Sequence, residues 1–441
     1  MDLELQRCDF GNSLGAREIA DAIAEIITVR RVGFNARLPA IRVLARTLGV
    51  SPTTTASAYA ELERRGLVKG QGRQGTLVAR RSADLGSARV FHMGPTDGDY
   101  RAIDLSTGYP DPELLLDYEN LATGVLSSTN TQSFLNRTVS AELIGPLSEL
   151  LGVAIEELTV VSGSLDALDR VLEQVCAPGD RVIVEEPNFP PIFDLLDVHR
   201  LVAIPVSSDA DGIEPASLAK ALEMRPTALI LQPRAQNPTG ISMSAPRLLE
   251  VASLLSKITG LTVVEDDHSG MISVSPRTSL RHMIECDVVT IFGFSKSHGP
   301  DLRISAIAAP RELISRIVAR RRLGPSWTSE ILQRILARTL VDPAALQQVE
   351  QAKVTYSARL GRLVESIGAL GGTIPSKDGL NAWIPVNSEL GVITDLARVG
   401  VVVAPGSAFY LEAPKQAHIR ITTATLDDQL DSITQTLRRW V

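Results

Sequence analysis

Apolar residues recur at helical spacing near the start of the chain. Over 16–28, Ile19, Ile23, Ile26 and Ile27 fall on one face of a single helix. Gly33 and Pro39 break that pattern. LPAIRVLARTLGV then predicts a second helix, with Val43, Leu44 and Leu48 as its apolar stripe and Gly49 as its stop. Ser51 is a natural N-cap for a third helix over about 52–64, with Pro52 at the tolerated first position and Tyr59 and Leu62 facing the core. Two strand-like pieces, Leu67–Lys69 and Thr76–Val78, flank a glycine-rich tip. Helix, helix-turn-helix and hairpin wing together make a winged helix-turn-helix.

Periodicity is lost over 82–103, where Gly86, Gly94, Pro95 and Gly98 fall. This stretch reads as a linker spanning on the order of 25 Å if flexible, with Val90, Phe91 and Met93 free to dock on a neighbour. From 104 onward, short apolar runs alternate with helical stretches. The runs are Leu158–Val161, Arg181–Val184, Leu201–Pro205, Ala228–Leu231, Leu261–Val264, Val288–Phe292 and Ile304–Ala308. Such alternation predicts an α/β unit around a buried, mostly parallel sheet. The expected organisation is a winged helix in 1–81, a linker in 82–103 and a large unit in 104–441. In open α/β sheets ligands sit beyond the carboxyl ends of the strands, so polar clusters there are the candidates for chemistry.

Composition narrows the picture. The 441 residues are 44% hydrophobic and 22% charged, which excludes global disorder and fibrous folds and allows a large core. No apolar run approaches ~18 residues, and no apolar signal core follows Met1–Phe10. Cys8, Cys176 and Cys286 are few, odd in number and far apart, as expected in a reducing cytoplasm. No Cys/His cluster has zinc-ligand spacing. The net charge is −7, yet Arg30–Arg81 holds eleven basic residues against Glu61 and Glu63. That block carries +9 and the remainder −16, so a polyanion partner is expected for the block alone.

The string LPAIRVLARTLGVSPTTTASAYAELERRGLVKGQGRQGTLV resembles the GntR-family winged-helix domain over about sixty residues. The resemblance implies DNA binding, with the second helix of the motif in the major groove and the wing near the minor groove. Arg42 matches the family's DNA-contacting arginine. Ser51, Thr53 and Thr54 stand at the start of the recognition helix, where their hydroxyls suit phosphate contacts, and Arg73 stands at the wing tip. Pro52 occupies a position where some members carry a base-reading arginine. Ser51 also reads as a plain helix cap.

Four clusters follow the strands of the large unit: SGSLDAL at 162–168, QNPTG at 236–240, VVEDDH at 263–268 and GFSKSHGPDLR at 293–303. In this order, with PGD, EEPNFP, APGSAF and HIRIT around them, they resemble the fold type I pyridoxal-phosphate enzymes of the aspartate aminotransferase superfamily. The resemblance covers about 104–441 and implies pyridoxal 5′-phosphate as cofactor and a smaller C-terminal α/β subdomain. It implies that Lys296 forms the Schiff base, and that Asp266 pairs with the ring nitrogen, with Asp267 as the alternative. Asn237 would donate to the ring phenolate, Phe189 would stack on the ring, and His268 stands where many relatives carry a tyrosine. Gly163, Ser164, Leu165, Ser295 and Arg303 would hold the phosphate. Gly108 and Arg420 would border and bind a substrate carboxylate. The relatives' upstream tyrosine, which reaches the neighbouring subunit's phosphate, has no match in STNTQSFLNRTVSAEL.

The two resemblances combined are those of the MocR branch of bacterial regulators. They imply a homodimer, with a head-to-tail arrangement allowed, that binds operator DNA and senses an amino acid or other amine through cofactor-bound Lys296. Two alternatives remain open on the sequence: a regulator that senses vitamin B6 itself, and a working aminotransferase that carries a DNA-binding module.

Overall fold

The computed structural model describes residues 5–441 except 6, 8–9, 11–14, 30–35, 65–66, 71–74, 79–102, 120, 122–124, 126–137 and 413. Arg73, Cys8 and the expected linker up to residue 102 therefore lie outside the described residues, while Ile103, placed at the linker's end by the sequence, belongs to a strand. Contacts divide the chain into two compact units, Met1–Ala88 and Arg89–Val441.

The first unit opens with α1 (Ala16–Val29), which buries Ile19, Ala20, Ile23, Ile26 and Ile27. Helix α2 (Ile41–Leu48) ends at Gly49, whose φ of 70° lets the chain turn without steric cost. The α2 face differs from the expected one. Leu44, Ala45 and Leu48 are buried, whereas Val43 is 52% exposed. Leu48 lies between Leu44 and Ala45 around the helix and marks the middle of the buried stripe; Val43 is about 140° from it and so faces away from the core. Helix α3 (Pro52–Arg64) is capped by Ser51, whose Oγ accepts the Thr54 amide at 3.0 Å. It buries Tyr59 and Leu62. The Tyr59 hydroxyl donates to the Pro39 carbonyl at 2.7 Å, tying α3 to the segment before α2. Strands β1 (Val68–Gly70) and β2 (Thr76–Val78) form the antiparallel wing, and Val78 donates its amide to Ala36 O. Leu5 and Phe10 complete this core, a contribution the sequence pattern did not suggest.

The second unit begins with β3 (Ile103–Asp104). Its main sheet comprises β4 (Leu158–Val161), β5 (Arg181–Glu186), β6 (Val202–Asp209), β7 (Gly212–Ile213), β8 (Ala228–Leu231), β9 (Thr262–Asp267), β10 (Asp287–Gly293) and β11 (Ser305–Ala308). Their spatial order is β4-β11-β10-β9-β8-β5-β6-β7. The central run from β10 to β6 is parallel, and β4, β11 and β7 join antiparallel at the flanks. Alternate residues feed two cores. Val182, Val184, Ile230, Val264 and Ile291 face one side with helices Pro190–Val198, Arg311–Arg321 and α4 (Ser164–Val175). Ile183, Leu229, Leu231 and Val263 face the other with helices Pro215–Leu222 and Ala245–Leu255. This burial on both faces explains the unbroken Val/Ile runs.

A smaller layer follows the long helix Pro343–Gly368. Strands β12 (Asn381–Pro385), β14 (Ala404–Pro405) and β15 (His418–Thr422) form an antiparallel sheet, and β13 (Val401–Val402) pairs with β3. No helix among the described residues is long and apolar enough to cross a membrane.

Candidate cofactor site and DNA-binding face

The carboxyl ends of β4, β5, β8, β9 and β10 deliver Ser162–Ser164, Phe189, Gln232–Asn237, Asp266–His268 and Ser295–Lys296 to one end of the sheet. At β4 the chain enters α4 through Gly163, with φ 109°. Ser164 begins the helix, so its free N–H groups and dipole suit an anion. Arg303, in left-handed conformation, donates Nη2 to Ser162 O at 2.7 Å and lies over Gly163. Ser164 Oγ meets Ser305 Oγ at 3.1 Å. Leu165 is partly exposed in the first turn, and Ser295 is half-buried. Phe189 is half-buried at the start of helix Pro190–Val198, its amide donating to Asn188 Oδ1.

Strand alternation separates the two adjacent acids. Asp267 points to the face of Glu265 and is taken by the buried Arg234 at 2.5 Å, by Ser269 and by the Gly270 amide. Asp266 points the other way. Its Oδ2 accepts Gln232 Nε2 at 2.8 Å, and its Oδ1 is buried without a partner. Burial raises its pKa to about 6. A protonated pyridine nitrogen is the kind of donor that such an orphaned carboxylate oxygen lacks, so the residues fit pyridoxal phosphate. His268 Nε2 meets the Ala235 carbonyl at 3.0 Å, so Nε2 carries the ring's hydrogen. Burial and Lys296 lower its pKa to about 4. The neutral ring has no second proton to donate.

Two cations converge on the segment Ser106–Gly108. Lys296 Nζ donates to Gly108 O at 2.5 Å and lies 5.9 Å from the Tyr109 ring centroid. Burial and the charge of Arg420 lower its pKa to about 8. At pH 7 this makes the neutral amine roughly 300-fold more abundant than on an ordinary lysine. Arg420 is fully buried on β15. It donates to Asn237 Oδ1 at 3.0 Å and to Ser106 O, and it stacks 4.9 Å over Phe409. Its Nε has no partner, and no carboxylate lies within ion-pair distance among the described residues. Burial lowers its pKa to about 9. The nearby Asp104 charge opposes that shift without an ion-pair contact, and a buried guanidinium with no carboxylate in direct contact is costly unless a ligand supplies the anion. Gly108, at φ 70°, donates its amide to Thr422 Oγ1 at 2.8 Å.

The comparisons agree with this geometry. Residues 102–435 match the aminotransferase class I and II family, and residues 16–78 match the gntR family of bacterial regulatory proteins. The vitamin B6 salvage pathway transcriptional repressor PtsJ of Salmonella typhimurium is 33% identical, over 94% of this chain and 95% of its own. The chain belongs to the MocR-type GntR regulators. TauR of Rhodobacter capsulatus is 24% identical over 91% of this chain and 92% of its own. Among solved structures, the α-aminoadipate aminotransferase LysN of Thermus thermophilus superposes with a TM-score of 0.69 at 23% identity, covering 77% of this chain and 91% of that one. An archaeal alanine:glyoxylate aminotransferase gives 0.71 at 20% identity, covering 82% and 95%. These neighbours establish the fold type I architecture of the large unit.

In a MocR-type chain the winged helix is the DNA-binding module. Arg42 is exposed on α2, clear of the core formed by Leu44 and Leu48. Ser51 and Thr53 are exposed at the start of α3, and Thr54 Oγ1 meets Ser51 Oγ at 2.8 Å. Ser51 thus caps the helix and still presents its surface. Arg42→Ala is expected to weaken operator binding and to lower the salt slope of log affinity by about one unit if the contact is to phosphate. Titrations at several salt concentrations check this, and unchanged binding at matched salt overturns the contact.

Sequence reasoning missed Gln232 and Arg234, which decide between Asp266 and Asp267. Their only signal is that both are polar and directly follow an apolar strand, in LQPRAQNPTG.

Proposed function

We propose that this MocR-type regulator holds pyridoxal phosphate at Lys296, Asp266, Asn237, Ser164 and Arg303, and that a carboxylate-bearing amine completes the site at Arg420 and thereby alters operator binding. The cofactor supplies an aldehyde that links covalently to amines. The protein's own residues do the rest. Lys296 is kept partly unprotonated, Arg303 and the α4 amides offer a phosphate seat, and Asp266 faces the ring nitrogen. The observation that carries the reading is the fully buried Arg420, which has a hydrogen bond to Asn237 and no carboxylate partner. A homodimer in the cytoplasm, with the winged helices on one operator, fits this reading.

A second reading has pyridoxal phosphate itself as the signal. It is favoured by the 33% identity to a vitamin B6 salvage repressor. One experiment separates the two. In Arg420→Ala, cofactor binding and basal DNA binding are expected to persist, while the amino-acid-induced change in operator affinity falls ten- to about a hundredfold in ligand sensitivity. If cofactor titration alone shifts operator affinity equally in both proteins, the second reading replaces the first. Steady turnover of an amino acid with a 2-oxo acid would identify the chain as a working aminotransferase.

A further inference from the structure

Gln232 is the polar hub of the site and touches none of the positions assigned to the phosphate above. It directly follows β8, between β5 and β9, and is 2% exposed. Its amide N–H donates to Glu185 Oε2 at 2.6 Å. Its side-chain Oε1 accepts the Asn237 amide at 2.9 Å, and its Nε2 donates to Asp266 Oδ2 at 2.8 Å. The Asn237 N–H can only donate, so it fixes which end of the carboxamide is oxygen, and Nε2 must face Asp266. With Oδ2 held there, the Asp266 carboxylate cannot spin, and Oδ1 is the oxygen left unpartnered.

We propose that Gln232 is a positioning residue that presents Asp266 Oδ1 to the ring nitrogen of pyridoxal phosphate. The inference rests on the reading that Asp266 meets that nitrogen. Two further features support it. The other two acids of β9 are taken: Asp267 by Arg234 on the opposite face, and Glu265 by Ser279 and the Leu280 amide. Glu185 is held largely protonated at neutral pH by burial, its pKa raised to about 8, so it adds little negative charge beside Asp266. The same carboxamide anchors the backbone of Asn237, whose Oδ1 receives Arg420. One side chain therefore sets the groups expected at both edges of the ring.

The test uses the full chain and two probes, pyridoxal phosphate and its 1-deaza analogue, in which carbon replaces the ring nitrogen. Wild type is expected to favour pyridoxal phosphate at least about tenfold, the range of one charge-assisted hydrogen bond. Gln232→Leu is expected to weaken pyridoxal phosphate about tenfold and to leave the deaza analogue within about twofold, so the preference collapses. Gln232→Met keeps the side-chain length but offers Asp266 no donor, and it is expected to lose the preference as well. Equal weakening of both probes in the two variants would show a structural role alone and overturn the proposal, as would a preference kept in either. A wild type that binds pyridoxal phosphate without distinguishing the probes overturns the Asp266 assignment, and this proposal with it.

Discussion

Lys296→Ala is expected to abolish covalent attachment of pyridoxal phosphate altogether. The chain has seven lysines. Lys69, Lys220, Lys257, Lys377 and Lys415 are exposed, and Lys353 is paired with Glu350 at 2.5 Å. Only Lys296 stands just past the end of β10, bonded to Gly108 O and close enough to His268 and Arg420 to shift their charge balance. Its environment is also the one that makes an amine nucleophilic near neutrality. Borohydride reduction followed by intact-mass measurement reads the linkage directly. Wild type gains one cofactor mass and Lys296→Ala gains none; an equal gain in both sinks the assignment. A pH dependence accompanies this result. Folding lowers the Lys296 pKa to about 8, so the reactive neutral form grows as pH rises and is nearly complete above about 9. Attachment rate should therefore climb between about pH 6 and 8 and level off beyond. A profile still rising tenfold per unit at about pH 10 would mean that Lys296 titrates like an ordinary surface amine.

Gly163→Ala is the second substitution expected to act strongly. Gly163 has φ 109°, a conformation L-residues adopt at a cost of about 1–3 kcal/mol. An added Cβ would also sit 2.7 Å from Arg303 Nη2, the flexible end of that side chain. Arg303 is the group that yields, and it leaves the phosphate seat at the start of α4. Pyridoxal phosphate affinity is expected to fall at least about tenfold, the loss of a charge-assisted contact, with a melting temperature lower by several degrees. Pyridoxal, which lacks the phosphate, distinguishes this from general damage. Its affinity should be nearly the same in the two proteins, and a parallel loss for both ligands would refute the role given to Gly163 and Arg303.

The strands of the parallel sheet were legible because each is buried on both faces, so its Val/Ile run survives as a local signal. Strand β7 was not, since two residues, Gly212 and Ile213, carry no period. Val43 was misplaced for a related reason. In an eight-residue helix a one-position shift of the stripe changes little in the pattern, and only packing against α3 reveals that Ala45 takes the buried place. At the site, Lys296, Asn237 and Arg420 stand in strings that mark them, whereas the choice between Asp266 and Asp267 depends on which face of β9 holds Arg234. That is a non-local fact, set by a contact spanning thirty-three residues. Gln232 was invisible for the same cause, because its role exists only once β5, β8 and β9 lie side by side.

The way β3 is held has a consequence for how the molecule is made. Ile103–Asp104 pairs with Val401–Val402, Leu105 N bonds Val402 O, and Gly108 N bonds Thr422 across 314 positions. A ribosome adding about 5–20 residues per second needs roughly 15–60 s to cover that distance. Until then the segment that receives Lys296 and Arg420 has no strand to join, and loop closure over such a span is a slow step in itself. The winged helix has no such wait, because its buried residues run from Leu5 to Val78. In every newly made copy, the recognition helix leaves the ribosome well before the arginine proposed to receive the signal has been translated.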